Sequence, residues 1–378
     1  MGMGGSIQIG KIFGIPFRVD YSWFLIFIFI TLMLSLYTFP TDWPEGVRWG
    51  IGIATSILFF ASVVAHELSH SLVGIRYGIP VKSITLFLFG GVAHISKEAS
   101  SPGTELKMAL AGPLCSLALC GIFLGISYLS RGSEYVSDMT WYLGTINGIL
   151  AAFNMIPGFP LDGGRVLRAV IWRIRGDFMR ATRIATQAGY VVSYAFIGGG
   201  IVLLAQSYPD GYSNGSWVNG LWFIFLGFFL NSIIRTTYRQ TMLREALKGH
   251  SARDLMVSDF PHIPSTITIR ELVQRVMPTT SSPGFSVGDG EKVEGVLTWE
   301  QVKRVPRRYW DTTTAAQAMT PVDKIKSVRP TDDALQILEV MEQGNIDLVS
   351  VVSEAKVIGM IPRQNLLLFA QRLQELRA

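Results

Sequence analysis

The stretch VVAHELSHSLVG, residues 63–74, sets two histidines and a glutamate inside an otherwise apolar run. His66-Glu67-Leu68-Ser69-His70 has the form H-E-x-x-H. On a helix, residues four apart share a face, so both imidazoles can reach one metal ion. Neutral nitrogen donors and near-tetrahedral geometry suit Zn²⁺. Glu67, next to the first donor, can contact a water held by such an ion and take its proton as it attacks a carbonyl. A charge inside lipid costs on the order of 3 kcal/mol or more on insertion scales. Three ionisable residues within five positions therefore call for a function.

A catalytic zinc site usually has three protein ligands and one open position. The best third candidate is Asp162, in AAFNMIPGFPLDGGRVLRAV. Pro157 and Pro160 interrupt the preceding helix, and Gly163 and Gly164 let the backbone approach other groups closely. The local sequence leaves a second reading open, in which Asp162 N-caps the helix that follows. It could also do both.

These residues need a membrane scaffold to position them. The chain has 378 residues, 49% hydrophobic and 16% charged, too apolar for an ordinary soluble enzyme. Hydrophobic runs near 21–39, 50–74, 106–129, 141–157, 187–206 and 217–234 approach the roughly 20 residues that cross a bilayer. Lys11 and Arg18 precede the first run. Arg76, Lys82, Lys97 and Lys107 separate the second and third. Arg165, Arg168, Arg173, Arg175, Arg180 and Arg183 separate the fourth and fifth. If the runs alternate, all of these fall on one side, and only Arg48 and Arg131 lie near loops on the other. The positive-inside rule then predicts cytoplasmic termini in a multi-pass protein of the cell (inner) membrane. The formal charge of +5 fits that asymmetry and does not imply nucleic acid as a partner.

Cys115 and Cys120 lie in an apolar run and read as free thiols. The first residues, MGMGGSIQIGKIFG, lack the basic and apolar regions of a signal peptide. MGMGGS and Asn214-Gly215-Ser216 fit short lipidation and glycosylation patterns and are read as chance matches. VKSITLFLFGGVAHIS, residues 81–96, is rich in β-formers and predicts strands or a hairpin. Open strand edges do not persist in lipid, so this segment must pack on the bundle or accept a partner strand.

After Ile234 the pattern becomes that of a soluble α/β domain with an internal repeat. Met256 matches Met319, Leu272 matches Leu338 and Gly295 matches Gly359, at a period of roughly 64 residues, too long for a solenoid unit. The two halves, 250–306 and 312–376, resemble a pair of cystathionine-β-synthase (CBS) domains. That resemblance implies an adenine nucleotide between the modules, near Thr298 and Asn365. The Thr/Ser-x-x-Asp pattern is altered, with Gln301 in place of the acid and Pro362 in place of the hydroxyl. Dimerisation or docking is the alternative role of the pair.

H-E-x-x-H in the second run, a Gly-Gly strand after it and N-x-x-P-x-x-P-L-D-G-G after the fourth resemble the site-2 protease family of intramembrane zinc metalloproteases. The resemblance covers essentially the whole chain, including the CBS tail of one branch. It implies one zinc per chain held by His66, His70 and Asp162, with Glu67 as catalytic base. It implies that Asn154 lies near the active site, where its amide could serve the substrate carbonyl, although a helix–helix hydrogen bond would also satisfy it. Gly90 and Gly91 match the glycine pair beside the substrate-pairing strand; His94 reads as a polar lining residue.

The fold implied is a multi-pass α-helical membrane protein with about six transmembrane helices and a small membrane-associated β-hairpin or sheet. The protease domain is 1–249, followed by the cytoplasmic α/β CBS pair. The function implied is regulated intramembrane proteolysis, the cleavage of a transmembrane segment in a membrane-tethered substrate. An anti-sigma factor or a membrane-bound transcription-factor precursor is such a substrate. The residues alone also admit a CBS-regulated transporter or channel, or an inactive zinc-binding scaffold.

Overall fold

The computed structural model describes residues 6–88, 90–95, 99–207, 216–258, 261–280, 282, 284–289, 293–344, 346–353 and 356–377. The lipidation pattern, Asn214-Gly215 and Ser96 lie outside them. The chain divides into two compact units, Met1–Tyr238 and Arg239–Ala378.

In the first unit, β1 (Ser6–Ile12) and β2 (Ile15–Asp20) form an antiparallel hairpin. Asp20 then caps α1 (Tyr21–Met33), accepting from the Ser22 N–H at 2.9 Å. The helix ends in a π-turn, Leu34–Thr38. Gly52 lets α1 lie close to α2 (Glu45–Arg76), since a Cβ there would meet Ser35 Oγ at 2.1 Å. At 1.5 Å per residue α2 is about 48 Å long, well beyond the hydrocarbon thickness.

The strand reading of the segment after α2 holds. β3 (Val81–Phe87) and β4 (Gly90–Ile95) form an antiparallel hairpin, and β3 runs parallel to β2. The sheet order is β1-β2-β3-β4, which leaves β1 and β4 as its edges. Sequence reasoning had assigned no strands before the first run. The sheet packs on the membrane helices, with Val19 and Leu86 buried against Val63 of α2 and Phe17, Trp23 and Leu150 around them.

Four helices carry the rest: α3 (Pro102–Leu129), α4 (Glu134–Asn154), α5 (Asp162–Arg175) and α6 (Phe178–Ser207). α7 (Ser216–Leu247) follows. Among the described residues five helices are long and apolar enough to cross a membrane: α1 with its π-turn, α2, α3, α6 and α7. The remaining run corresponds to α4, which has 21 residues and carries Glu134 and Asp138 in its opening turns. α5 is amphipathic, with Arg165, Arg173 and Arg175 on a short helix, and stops at Gly176 in the left-handed region.

The second unit repeats one arrangement. β5 (His262–Ile263) runs parallel to β6 (Gly284–Val287), which pairs antiparallel with β7 (Gly295–Thr298); β8 (Thr320–Pro321) adds to β7. Likewise β9 (Ser327–Val328) runs parallel to β10 (Leu348–Ser353), which pairs antiparallel with β11 (Lys356–Pro362). A helix follows each final strand, at Trp299–Arg304 and Arg363–Arg377. Ile269, Leu272, Phe285 and Leu297 fill one core, and Ile337, Met341, Val351 and Ile361 the other. The repeated glycines are contact points. A Cβ on Gly295 would meet Met319 Sδ at 2.5 Å, and one on Gly359 would meet Met256 Sδ at 2.9 Å. The matched Met and Gly positions of the repeat therefore touch crosswise, each Gly against the other half's Met.

Candidate metal centre

His66 and His70 lie on one face of α2, near its C-terminal end, and both are buried. Their Nε2 atoms are 3.3 Å apart. Asp162 Oδ2 lies 3.2 Å from His66 Nε2 and 3.1 Å from His70 Nε2. Donors bonded at 2.0–2.2 Å in a tetrahedron stand about 3.3 Å from one another. The three atoms thus form one face of a zinc-sized tetrahedron.

The outer ring nitrogens settle which atoms carry protons. His70 Nδ1 donates to the Met108 carbonyl at 2.6 Å. A carbonyl only accepts, so the proton is on Nδ1 and Nε2 presents its lone pair inward. His66 Nδ1 lies 2.8 Å from Ser116 Oγ, which can serve the same purpose. A carboxylate oxygen and inward lone pairs at about 3 Å repel one another unless a cation sits among them. The donor set therefore fits a divalent metal.

Asp162 is the first residue of α5, and the N-cap position belongs to Leu161, with no side-chain capping bond. Of the two readings left open by the sequence, the structure selects the carboxylate facing the histidines. The glycines after it are needed for close packing. A Cβ on Gly163 would meet the Met155 carbonyl oxygen at 2.4 Å, and one on Gly164 would meet the Gly158 carbonyl carbon at 2.3 Å.

Glu67 points towards the sheet. A Cβ on Gly91 would come within 2.6 Å of Glu67 Cγ. The Glu67 carboxylate also faces the Ala93 backbone N–H, so β4 lies alongside it. Gly90 opens β4 in the left-handed region, with φ of 123°, and pairs with Phe87. Asn154 ends α4 and its Nδ2 donates to the Leu150 carbonyl at 3.1 Å. No hydrogen bond joins it to the triad or Glu67 among the described residues. His94, on β4, is half-buried and its Nδ1 finds no hydrogen-bond partner among the described residues. In the second unit Thr298 borders two clefts, whereas Asn365 lines neither.

Sequence reasoning missed the contribution of α3. Glu105, Met108, Gly112 and Ser116 recur at helical spacing on one stripe of it. Met108 and Ser116 orient the imidazoles. A Cβ on Gly112 would lie 2.2 Å from His70 Nε2 and 2.6 Å from His66 Nε2, too close for either ring to keep its place. Glu105 is fully buried and accepts from Arg168 of α5, whose Nε lies 2.6 Å from Oε1. The guanidinium sits over the rings of Phe159 and Phe178, at 4.9 and 4.7 Å. This pair ties α3 to the helix that carries Asp162. The visible signals were an acid opening an apolar run and a Gly-Pro pair within it.

The profile of peptidase family M50 matches residues 54–140 and 130–196, and that of the CBS domain matches residues 315–371. Over 373 residues the chain is 34% identical to sll0528 of Synechocystis sp., covering 97% of this chain and 95% of that one. It is 30% identical to Rip3 of Mycobacterium tuberculosis over 366 residues, covering 95% and 91%. It is 26% identical to Zinc metalloprotease MJ0392 of Methanocaldococcus jannaschii over 370 residues, covering 97% and 96%. The words zinc metalloprotease stand in all three names. Among solved structures, the Site-2 Protease from Methanocaldococcus jannaschii aligns with TM-score 0.40 and 29% identity, covering 59% of this chain and 93% of that one.

A membrane-embedded metalloprotease is the class that this bundle and its cluster define. The chain belongs to peptidase family M50, in a form that carries CBS-type modules after its last membrane helix.

Two substitutions test the arrangement. Gly112→Ala is expected to lower bound zinc per purified chain at least about tenfold, read by elemental analysis, because the methyl would displace both donor rings. Arg168→Ala leaves Glu105 buried and uncompensated, at a cost of about 3–5 kcal/mol. The double variant Glu105→Leu with Arg168→Met is expected to recover much of the lost thermal stability. Equal melting temperatures for Arg168→Ala and the parent would show that the pair does not tie α3 to α5.

Proposed function

We propose that the chain is an intramembrane zinc endopeptidase that cleaves a transmembrane segment of a membrane-tethered protein. His66, His70 and Asp162 hold one zinc per chain, and the observation that carries this reading is their convergence at 3.1–3.3 Å. Bound zinc would supply Lewis acidity to a water and to the scissile carbonyl. Glu67 accepts a proton from the attacking water and returns it to the leaving amide nitrogen.

β4 is an edge strand beside Glu67, so its open backbone groups can pair with an unwound stretch of substrate. Gly90 and Gly91 keep that approach free of side chains. Asn154 serves the substrate carbonyl once its amide turns away from Leu150. A membrane-bound regulator, such as an anti-sigma factor or a transcription-factor precursor, fits the requirement for a helix that can be opened locally. The basic segments support a reading in which the site's end of the bundle and both termini are cytoplasmic.

The experiment is cleavage of a co-reconstituted transmembrane peptide. Glu67→Gln is expected to keep its zinc and lose at least about a thousandfold in rate. Chelation is expected to stop the parent enzyme, with recovery on adding zinc. A Glu67→Gln variant as active as the parent would overturn the assignment.

We further infer that the modules at 250–306 and 312–376 bind an adenine nucleotide, with pairing of two chains as the alternative role. The supporting feature is a cleft where Thr298 and Gln301 stand beside Lys324 and Lys326, cations for phosphate, while Arg304 in the same cleft pairs with Asp347 at 3.4 Å. Lys324→Glu with Lys326→Glu is expected to weaken ATP or AMP binding at least about tenfold in calorimetric titration of the full chain. No measurable binding to the unaltered protein would remove the nucleotide from this reading.

A further inference from the structure

The β1–β2 hairpin has a feature that the metal centre does not use. Its two-residue turn is Phe13-Gly14, with φ of 49° and 81°, the backbone of a type I′ turn. That turn favours asparagine or aspartate at its first position. A bulky aromatic there costs on the order of 1–3 kcal/mol of backbone strain. Phe13 is nevertheless the most exposed large apolar residue of the hairpin, at 75%. Ile7 and Ile9 are also open, at 48% and 64%.

The register sorts the hairpin into two faces. Ile7 pairs with Val19, Gly10 with Phe17 and Ile12 with Ile15. Val19 and Phe17 are the residues that cover Val63 and Phe59 of the membrane helix α2. Ile7 therefore continues, past the bundle, the face that packs on a membrane-spanning helix, and Ile9 occupies the bulge beside it. The opposite face carries Gln8, Lys11, Arg18 and Pro16. The outer strand is thus amphipathic, with Ile7 on the face that continues the bundle contact and Lys11 on the other, where Arg18 of β2 joins it.

We propose that this hairpin is a lipid-interface anchor: Ile7, Ile9 and Phe13 immerse in the leaflet from which β2 enters α1, and Lys11 and Arg18 stay at the level of anionic headgroups. Continuity commits the surface to lipid, because β2 runs into α1 at Tyr21 without a connecting loop. The edge of β1 is unsuited to another strand, since a bulge at Gln8/Gly10 and Lys11 interrupt it. Unpaired backbone groups on that edge restrict the hairpin to the interface rather than the hydrocarbon centre. The anchor would hold the sheet at one depth, and β4, at the other side of the sheet, would take its depth from it. The inference does not depend on the identity of the metal or the substrate.

The test uses the full chain in proteoliposomes of phosphatidylcholine and phosphatidylglycerol. Cys115 and Cys120 are replaced by serine, or by alanine if serine disturbs α3. Single spin labels are placed through Phe13→Cys, Ile7→Cys and Gln8→Cys. Leu25→Cys, exposed on α1, gives the lipid reference, and Tyr309→Cys the aqueous one. Collision with dissolved oxygen reports lipid, and collision with a water-soluble nickel chelate reports solvent. At 13 and 7 the oxygen-to-nickel ratio is expected to lie near that at 25 and roughly tenfold above that at 309. At 8 it is expected to fall near the aqueous reference. Nickel access at 13 equal to that at 309 would overturn the anchor. Low access to both reagents, the sign of a covering protein surface, would overturn it as well.

Discussion

Everything in the membrane unit depends on holding a carboxylate and two imidazole lone pairs within 3.3 Å of one another inside an apolar bundle. That arrangement is repulsive without a cation and strongly attractive with one. The protein accordingly spends its rigidity on the groups behind the donors. One stripe of α3 supplies most of them. Met108 and Ser116 fix the rings, Gly112 keeps the centre open, and Glu105 secures α5 through Arg168. A helix that contributes no ligand is thus the template on which the ligands from two other helices meet.

Glu67 must differ from Asp162 although both are carboxylates at the same centre. Asp162 is fixed at the start of α5, with its oxygen shared between two rings. Glu67 projects from α2 towards the edge strand, and only the missing side chain of Gly91 leaves it room. It therefore lies against the backbone of β4, facing the Ala93 N–H.

The parts of this site that local sequence encodes were legible from it. H-E-x-x-H fixes its own geometry once the segment is a helix, and the prolines and glycines around Asp162 announce a break followed by close packing. The hairpin after α2 was legible because β-branched residues and paired glycines interrupt a membrane pattern. The α3 stripe was not, because a serine, a glycine and a backbone carbonyl resemble ordinary helix packing until the facing helix is known. The choice between ligand and N-cap for Asp162 rested on a one-residue difference in where α5 begins, which composition does not specify. The strands of residues 6–20 were also hidden. Their alternation is broken by a bulge, and a phenylalanine sits where a turn former belongs.

Charge balance explains why so polar a centre persists in a membrane. A divalent ion is offset by two carboxylates, Asp162 against it and Glu67 beside it, so the loaded centre is formally neutral. The Glu105–Arg168 pair is neutral in the same sense and lies between aromatic rings. Each cluster sets its charges against opposite ones within protein, where lipid would leave them unpaired, although Glu105 Oε2 finds no hydrogen bond among the described residues. The open edge of β4 is the gap left in the sheet's backbone hydrogen bonding, and Glu67 lies against that strand where Gly91 leaves it room.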